Sequence, residues 1–270
     1  MPELPEVETV CASLRPKVEG RTIVDVYSPN GYERALVLSS EARHALRSAR
    51  ILEVRRRGKY ILFILSSGIL VIHLRMTGRL MDVAPDEMKH VSGLIAFHDG
   101  GALWFYDVRK FGRISWFESL HRFEQKVKLG VEPLSEDFSP EYLYSLLRAS
   151  GRALKPWLLD QQFIAGLGNI YVDESLWSAR IHPLSRGLSL SRGAVEELYA
   201  QIVVILKESI ERHGTSFLSF YFDNTRQGSY ADLLKVFGRQ GAPCMRCGAL
   251  IEKIRVTQRG THFCPVCQVR

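Results

Sequence analysis

Three stretches of this 270-residue chain differ in how hydrophobic and polar positions alternate. Over residues 5–18, Val7, Val10, Cys11 and Leu14 recur at helical spacing, and Glu6 and Glu8 fall near the start, where the helix dipole favours negative charge. Residues 21–117 switch to short runs rich in β-branched and aromatic residues: Arg21–Tyr27, Arg34–Leu38, Ile51–Arg56, Tyr60–Leu65, Ile69–Leu74, Gly93–His98 and Ala102–Asp107. Ser66-Ser67-Gly68 and Asp99-Gly100-Gly101 supply hairpin turns. Many short strands at close spacing predict a sandwich or a flattened barrel. From about residue 132 the period turns helical, over Glu141–Arg148, Lys155–Ile164, Asn169–Ala179 and Gly193–His213. In the last of these, Val195, Leu198, Ile202, Leu206 and Ile210 make one apolar stripe. Pro133 and the polar run Ser135–Pro140 suggest a linker, and residues 215–232, without a clear period, a mobile loop.

The pattern predicts a multidomain α+β protein: a strand-rich domain over 1–132, a helical domain over 133–235 and a cysteine-rich unit over 236–270. Hydrophobic residues make up 46 %, enough for packed cores. Thirty-six Lys and Arg against 29 Asp and Glu give a net charge of +7, which suits a polyanionic partner or simply a basic enzyme surface. No stretch approaches the roughly 18 apolar residues of a membrane helix. The densest runs, Ile61–Leu65 and Ile69–Leu74, have strand length, and Glu3, Glu6 and Glu8 precede any apolar run, unlike a signal peptide. The expected setting is a reducing cytoplasm, with no membrane partner.

In that setting clustered cysteines point to metal before disulfides. Cys244-Met245-Arg246-Cys247 and Cys264-Pro265-Val266-Cys267 form two CxxC knuckles with 16 residues between them. Four thiolates close a tetrahedral Zn2+ site with no open position, so the ion is structural. A unit this small has almost no core of its own and needs such a staple. Between the knuckles, Leu250–Thr257 and Thr261–Phe263 predict a β-hairpin with Arg259 at or near its tip. An arginine there can fork two hydrogen bonds onto a phosphate, or be an ordinary solvated turn residue.

The opening Met1-Pro2-Glu3-Leu4-Pro5-Glu6 is unusual. Pro2 is small enough for Met1 to be trimmed, which leaves a secondary amine with a pKa near 8, about a tenth of it unprotonated at neutral pH. Such an amine attacks an aldehyde-like carbon to give an iminium directly, an electron sink for elimination, and Glu3 beside it could move protons. Taken alone, the same residues read as a helix start.

The segments MPELPEVETV, RRGKYILF, HLRMTGRL, DVRKFGR, LLDQQFIAGLGNIYVDESLW and VTQRGTHFCPVC occur in this order. Together they resemble the formamidopyrimidine-DNA glycosylase family, of the same superfamily as endonuclease VIII, over essentially the whole chain. The resemblance implies an N-terminal β-sandwich with flanking helices, a helix–two-turn–helix domain and a zinc-finger hairpin, with damaged double-stranded DNA in the cleft between. It implies a bacterial monomer in the cytoplasm, nucleoid-associated when on DNA. The activity implied is a bifunctional glycosylase and lyase of base excision repair, which excises oxidised purines and cleaves the strand by β,δ-elimination.

Residue by residue, the resemblance makes Pro2 the nucleophile at C1′ and Glu3 the general acid/base. Lys59 would contact the phosphate and the lesion nucleotide, and Glu6 would order the site among the DNA-contacting residues. Gly168, Asn169 and Arg259 would clamp phosphates, with Asn169 also capping its helix. Met76, Arg109 and Phe111 would fill the void left by an extruded base, although locally Met76 and Phe111 fit a core and Arg109 a surface. His90 would touch the backbone; the second histidine expected two residues on is Ser92 here. The lesion-capping loop would be Phe217–Tyr230. An oxidised-pyrimidine enzyme of the endonuclease VIII type is the alternative, against which DVRKFG and HLRMTG argue. A catalytically silent zinc-dependent DNA-binding module is a third reading, against which Pro2, Glu3 and Lys59 argue.

Overall fold

The computed structural model describes residues 1–215 and 228–270, so most of the expected capping loop lies outside the described residues. The chain forms two compact units, residues 1–128 with 212–229, and residues 129–211 with 230–270.

The first unit opens with helix α1 (Leu4–Val18). Two sheets follow, built from β1 (Ile23–Tyr27), β2 (Leu36–Val37), β3 (Ile51–Arg57), β4 (Tyr60–Leu65), β5 (Gly68–His73), β6 (Gly78–Met81), β7 (Val91–Phe97), β8 (Ala102–Asp107) and β9 (Arg113–Phe117). One sheet has the order β1-β7-β8-β6, the other β2-β9-β5-β4-β3, and only the β2·β9 pair is parallel. Ile23, Ile95 and Phe105 from the first sheet share one core with Ile61, Phe63, Ile72 and Ile114 from the second and Val7, Val10 and Leu14 from α1. Each such fully buried side chain contributes about 1.5–3 kcal/mol by leaving water. The sandwich expected from the strand pattern is what forms. Helices α2 (Ser40–Leu46) and α3 (Leu120–Lys126), capped by Ser39 and Ser119, were not apparent from periodicity.

The second unit contains α4 (Pro140–Arg148), α5 (Leu154–Leu158), α6 (Asn169–Ser178), α7 (Arg192–Glu211) and a hairpin of β10 (Glu252–Val256) and β11 (Arg259–Phe263). Helix α6 packs against α7 and β11, so the cysteine-rich hairpin belongs to the same compact unit as the helices. Two expectations change. The run 135–140 is no linker: Phe138 is buried, lies against Tyr142 and Tyr199, and Ser139 caps α4. The helix expected over Lys155–Ile164 ends at Leu158: residues 159–163 run through turns, with the Phe163 amide donating to the Asp160 carbonyl, before Ile164 bridges Val131. Among the described residues no helix is long and apolar enough to cross a membrane.

Candidate active site and metal centre

Helix α1 starts immediately after Glu3, whose extended backbone (φ −102°, ψ −170°) makes it the N-cap. Pro5 fits the first turn because no helical bond needs its missing N–H. Glu6 reaches back, and its Oε2 accepts from the Glu3 amide at 2.8 Å. Its Oε1 accepts from the Thr215 amide at 2.8 Å and the Thr215 hydroxyl at 3.0 Å. This close return of the chain requires Gly214: its φ is +79°, and a Cβ there would stand 2.7 Å from Glu6 Oε1. Glu6 is 2 % exposed. It therefore braces the Glu3 backbone at the start of α1 against Thr215. Pro2 and Glu3 are themselves buried.

Lys59 sits in the β3–β4 turn and is 6 % exposed, unlike a solvated strand-end lysine. That turn is tied to α1. Arg56 donates to Glu8 at 2.9 Å and to the Gly58 carbonyl at 3.2 Å, and the other Glu8 oxygen pairs with Arg15. Tyr60 faces His73 across the β4·β5 ladder, their rings 4.5 Å apart edge-on. His73 was not singled out in the sequence, although it closes an apolar strand directly before Leu74-Arg75-Met76. Its Nδ1 accepts from the Arg75 amide at 3.0 Å. Burial, with Arg75 and Lys59 adding to it, pushes the imidazole down to about 3, so it is neutral at physiological pH with its proton on Nε2.

A cavity of about 340 Å³ is lined by Met1, Arg75, Met76, Phe111 and Arg113. Met76 and Phe111 are 40 % and 50 % exposed, so neither is a core residue. Arg109 holds its guanidinium 4.9 Å from the centre of the Phe111 ring. The first unit thus brings the start of the chain together with Met76 and Phe111 around one opening. His90 lies apart on a 3-10 turn, its Nε2 3.2 Å from Glu87 and its ring edge-on to Tyr106. Ser92 is wholly buried in β7, so that position does not reach a ligand from this surface.

In the second unit, Gln161 brackets the glycine-rich turn, accepting from the Gly166 amide at 2.9 Å and donating to the Leu167 carbonyl at 2.8 Å. Gly168, not Asn169, is the N-cap of α6. Asn169 is the first helical residue, and its Nδ2 donates to the Gly260 carbonyl at 2.9 Å. Lys155 donates to the same carbonyl at 3.1 Å and to Asp173 Oδ1 at 2.6 Å, with both charged side chains wholly buried. Asp173 Oδ2 accepts from the His262 amide at 2.9 Å. Arg259 follows a two-residue turn, Thr257-Gln258, in which both φ values are positive as a type I′ hairpin requires. It opens β11 beside the doubly held Gly260. Lys155 and Asp173 were not among the expected site residues, because the hairpin backbone they hold lies some ninety or more residues away.

Cys244, Cys247, Cys264 and Cys267 place their sulfurs within 4.8 Å of one another, with Cys247–Cys264 at 3.4 Å and Cys244–Cys267 at 4.0 Å. A tetrahedron with Zn–S bonds of about 2.3 Å needs sulfurs about 3.8 Å apart, so the four thiolates fit one structural zinc ion. Arg246, inside the first knuckle, lies 4.2 Å over the Trp177 ring and donates to the Trp177 carbonyl, which fastens the knuckle to the end of α6.

Three family models match in succession. They are the formamidopyrimidine-DNA glycosylase N-terminal domain over residues 1–114, the H2TH domain of the same glycosylase over 129–220, and a zinc finger found in FPG and IleRS over 241–269. A formamidopyrimidine-DNA glycosylase of Exiguobacterium sp. is 44 % identical, with both chains covered in full. One from Pelotomaculum thermopropionicum is 43 % identical over 99 % of each chain. Among solved structures, MutM (FPG) of Thermus thermophilus superposes with a TM-score of 0.89 at 37 % identity, covering 99 % of this chain and 98 % of that one. A Lactococcus lactis FPG mutant in complex with a Fapy-dG containing DNA superposes with a TM-score of 0.91 at 39 % identity over all of both chains.

Proposed function

This chain belongs to the formamidopyrimidine-DNA glycosylase family, enzymes of DNA repair, and from its own side chains we propose that it excises oxidised purines, 8-oxoguanine and formamidopyrimidines, with Pro2 as the covalent nucleophile. Once Met1 is removed, the Pro2 nitrogen attacks C1′ of the damaged nucleotide, and the bond to the base breaks as the N–C1′ bond forms. Glu3, next in the chain and buried, delivers a proton to the sugar ring oxygen, so that the ring opens and the nitrogen lone pair completes an iminium. The iminium acidifies the C2′ proton, whose loss expels the 3′ phosphate; loss of the C4′ proton into the resulting conjugated iminium then expels the 5′ phosphate, which is β,δ-elimination. Lys59 steadies the lesion nucleotide and its phosphate.

Damaged duplex DNA is the partner. The amides at the start of α6, with Gly168 and Asn169, bind one phosphate, and Arg259 on its rigid hairpin binds another. Met76, Arg109 and Phe111 occupy the space of the extruded nucleotide. Arg109 donates to O2 and N3 of an orphaned cytosine, whereas adenine sets an amino donor against it. The Fapy-dG containing DNA bound by the Lactococcus lactis relative agrees with this substrate class.

The observation that carries the reading is the shared cavity: the first residue lines it with Met76 and Phe111, so trimming Met1 opens the neighbourhood of Pro2 to the residues that would hold the duplex apart. Borohydride should freeze a protein–DNA adduct on an abasic or 8-oxoguanine duplex, and an uncleaved N-terminal tag should abolish it. Equal trapping by the tagged protein would move the nucleophile to a lysine, with Lys59 the first suspect.

A further inference from the structure

Asp107 ends β8, is completely buried, and is not needed by the chemistry above. Its carboxylate nevertheless has three donors. Oδ1 accepts from the Thr77 hydroxyl and, at 3.2 Å, from the Arg109 amide. Oδ2 accepts from the Gly112 amide at 2.7 Å. The Arg109 amide is shared, since it also lies 3.1 Å from Thr77 Oγ1. Thr77 follows Met76 in the turn leading into β6. Arg109 and Phe111 lie in the loop from β8 to β9. One buried carboxylate and one hydroxyl therefore join the turn bearing Met76 to the loop bearing the other two side chains.

The far side of the loop is held as firmly. Arg113 Nη1 lies 3.4, 3.2 and 2.8 Å from the carbonyls of Lys110, Phe111 and Gly112. Tyr32 donates to the Lys110 carbonyl at 3.1 Å. At Gly112 a Cβ would fall 2.2 Å from the Phe105 ring and 3.1 Å from Asp107 Oδ2, so the loop closes onto the carboxylate without a side chain in the way. Met76, Arg109 and Phe111 are left exposed, each on or beside backbone that is fixed from beneath.

We propose that Thr77 and Asp107 are positioning residues for reading the base opposite the lesion. They set the spacing of Met76 against Arg109, and with it the alignment of the guanidinium on the orphaned base. This rests on Met76, Arg109 and Phe111 filling the void. A bidentate contact discriminates only when both donors are aligned, so a loop loosened at Thr77 keeps its arginine and loses its selectivity. Thr77→Val keeps the shape and removes the hydroxyl, whereas Thr77→Ser keeps the hydroxyl. Asp107→Asn, which perturbs a buried charge, serves as the second probe.

The measurement is the ratio of single-turnover excision rates for 8-oxoguanine opposite C and opposite A, each normalised to the same variant's borohydride trapping on an abasic duplex. Loss of one hydrogen bond corresponds to a fall of about three- to ten-fold. Thr77→Val and Asp107→Asn should lower the ratio by that factor, and Thr77→Ser should restore it. A wild-type ratio in both Thr77→Val and Asp107→Asn, with Arg109→Ala flattened, overturns this proposal alone. An unchanged ratio in Arg109→Ala overturns the void-filling reading and this proposal with it.

Discussion

Lys155→Met removes a cation from a place where no water can replace it. Lys155 and Asp173 are each 0 % exposed, 2.6 Å apart, and Lys155 also supplies one of two donors to the Gly260 carbonyl. Methionine fills similar space but leaves Asp173 with only the His262 contacts. Removing one partner of a buried pair costs about 3–5 kcal/mol. The carbonyl keeps Asn169, so its loss adds at the low end of about 0.5–1.5 kcal/mol. The variant should therefore lose about 3.5–5.5 kcal/mol in urea unfolding of the zinc-loaded protein, followed by tryptophan fluorescence. The double variant Lys155→Met/Asp173→Leu removes both charges and should recover part of that. A deficit of about 1–3 kcal/mol remains, because the His262 amide then has no acceptor. A single variant within about 1 kcal/mol of wild type would mean the pair is effectively solvated. A double variant as weak as the single would place the loss in packing rather than in the stranded carboxylate.

Cys244→Ala or Cys267→Ala should lose the metal by elemental analysis and unfold the hairpin carrying Arg259, weakening DNA binding while the sandwich stays folded; fully active protein without zinc would refute this. His73 has a folded pKa of about 3, below the 6.5 of the free side chain, so its stabilising effect is intact above pH 6.5 and drains as pH falls toward 3. The slope is up to about 1.4 kcal/mol per pH unit. His73→Gln should flatten that slope in urea midpoints taken from pH 7 to pH 4, and an unchanged slope would assign the acid sensitivity to another group. Excision of 8-oxoguanine should be about ten-fold or more faster opposite C than opposite A. Arg109→Ala should level the two, which single-turnover rates on the four opposite-base duplexes would decide.

What could be read from the sequence was what depends on spacing within a short window. The two CxxC knuckles need only their own intervals, and the Ser66-Ser67-Gly68 and Asp99-Gly100-Gly101 turns fell where chains reverse. Helices α1, α6 and α7 began within a residue or so of their expected starts: apolar stripes carry the period in α1 and α7, whereas α6, buried all round, is marked by the glycine-rich turn before it. Strands β6 and β9 were missed: four or five residues that include Arg79 or Arg113 do not make a visible alternation. Met76 and Phe111 look like core residues in any local window. Their outward position comes from the tertiary bonds that pin the backbone beside them.

The buried carboxylates mark the deeper limit. Glu6, Asp107, Asp173 and Glu174 are each at most 2 % exposed, and a bare charge at such depth would be prohibitive. Each is offset by backbone amides: Glu6 by those of Glu3 and Thr215, Asp107 by Arg109 and Gly112, and Asp173 by His262. Glu174 is held by Lys235, Val236 and Phe237. Charge-assisted bonds of this kind are among the stronger ones available to a fold, and most of them satisfy amides that a turn leaves without helix or sheet partners. The amides of Thr215, His262 and Val236 lie 209, 89 and 62 residues from their acids, and almost any residue type can offer an amide. Nothing in sequence spacing encodes such a pairing. A reading of local motifs therefore ranks acids by their neighbours, takes Glu6 for a first-turn helix acid and passes over Asp107, Asp173 and Glu174. In the fold, Glu6, Asp107 and Asp173 hold the segments from which Pro2, Arg109 and Arg259 project, and Glu174 holds the turn that leads into the cysteine-rich hairpin.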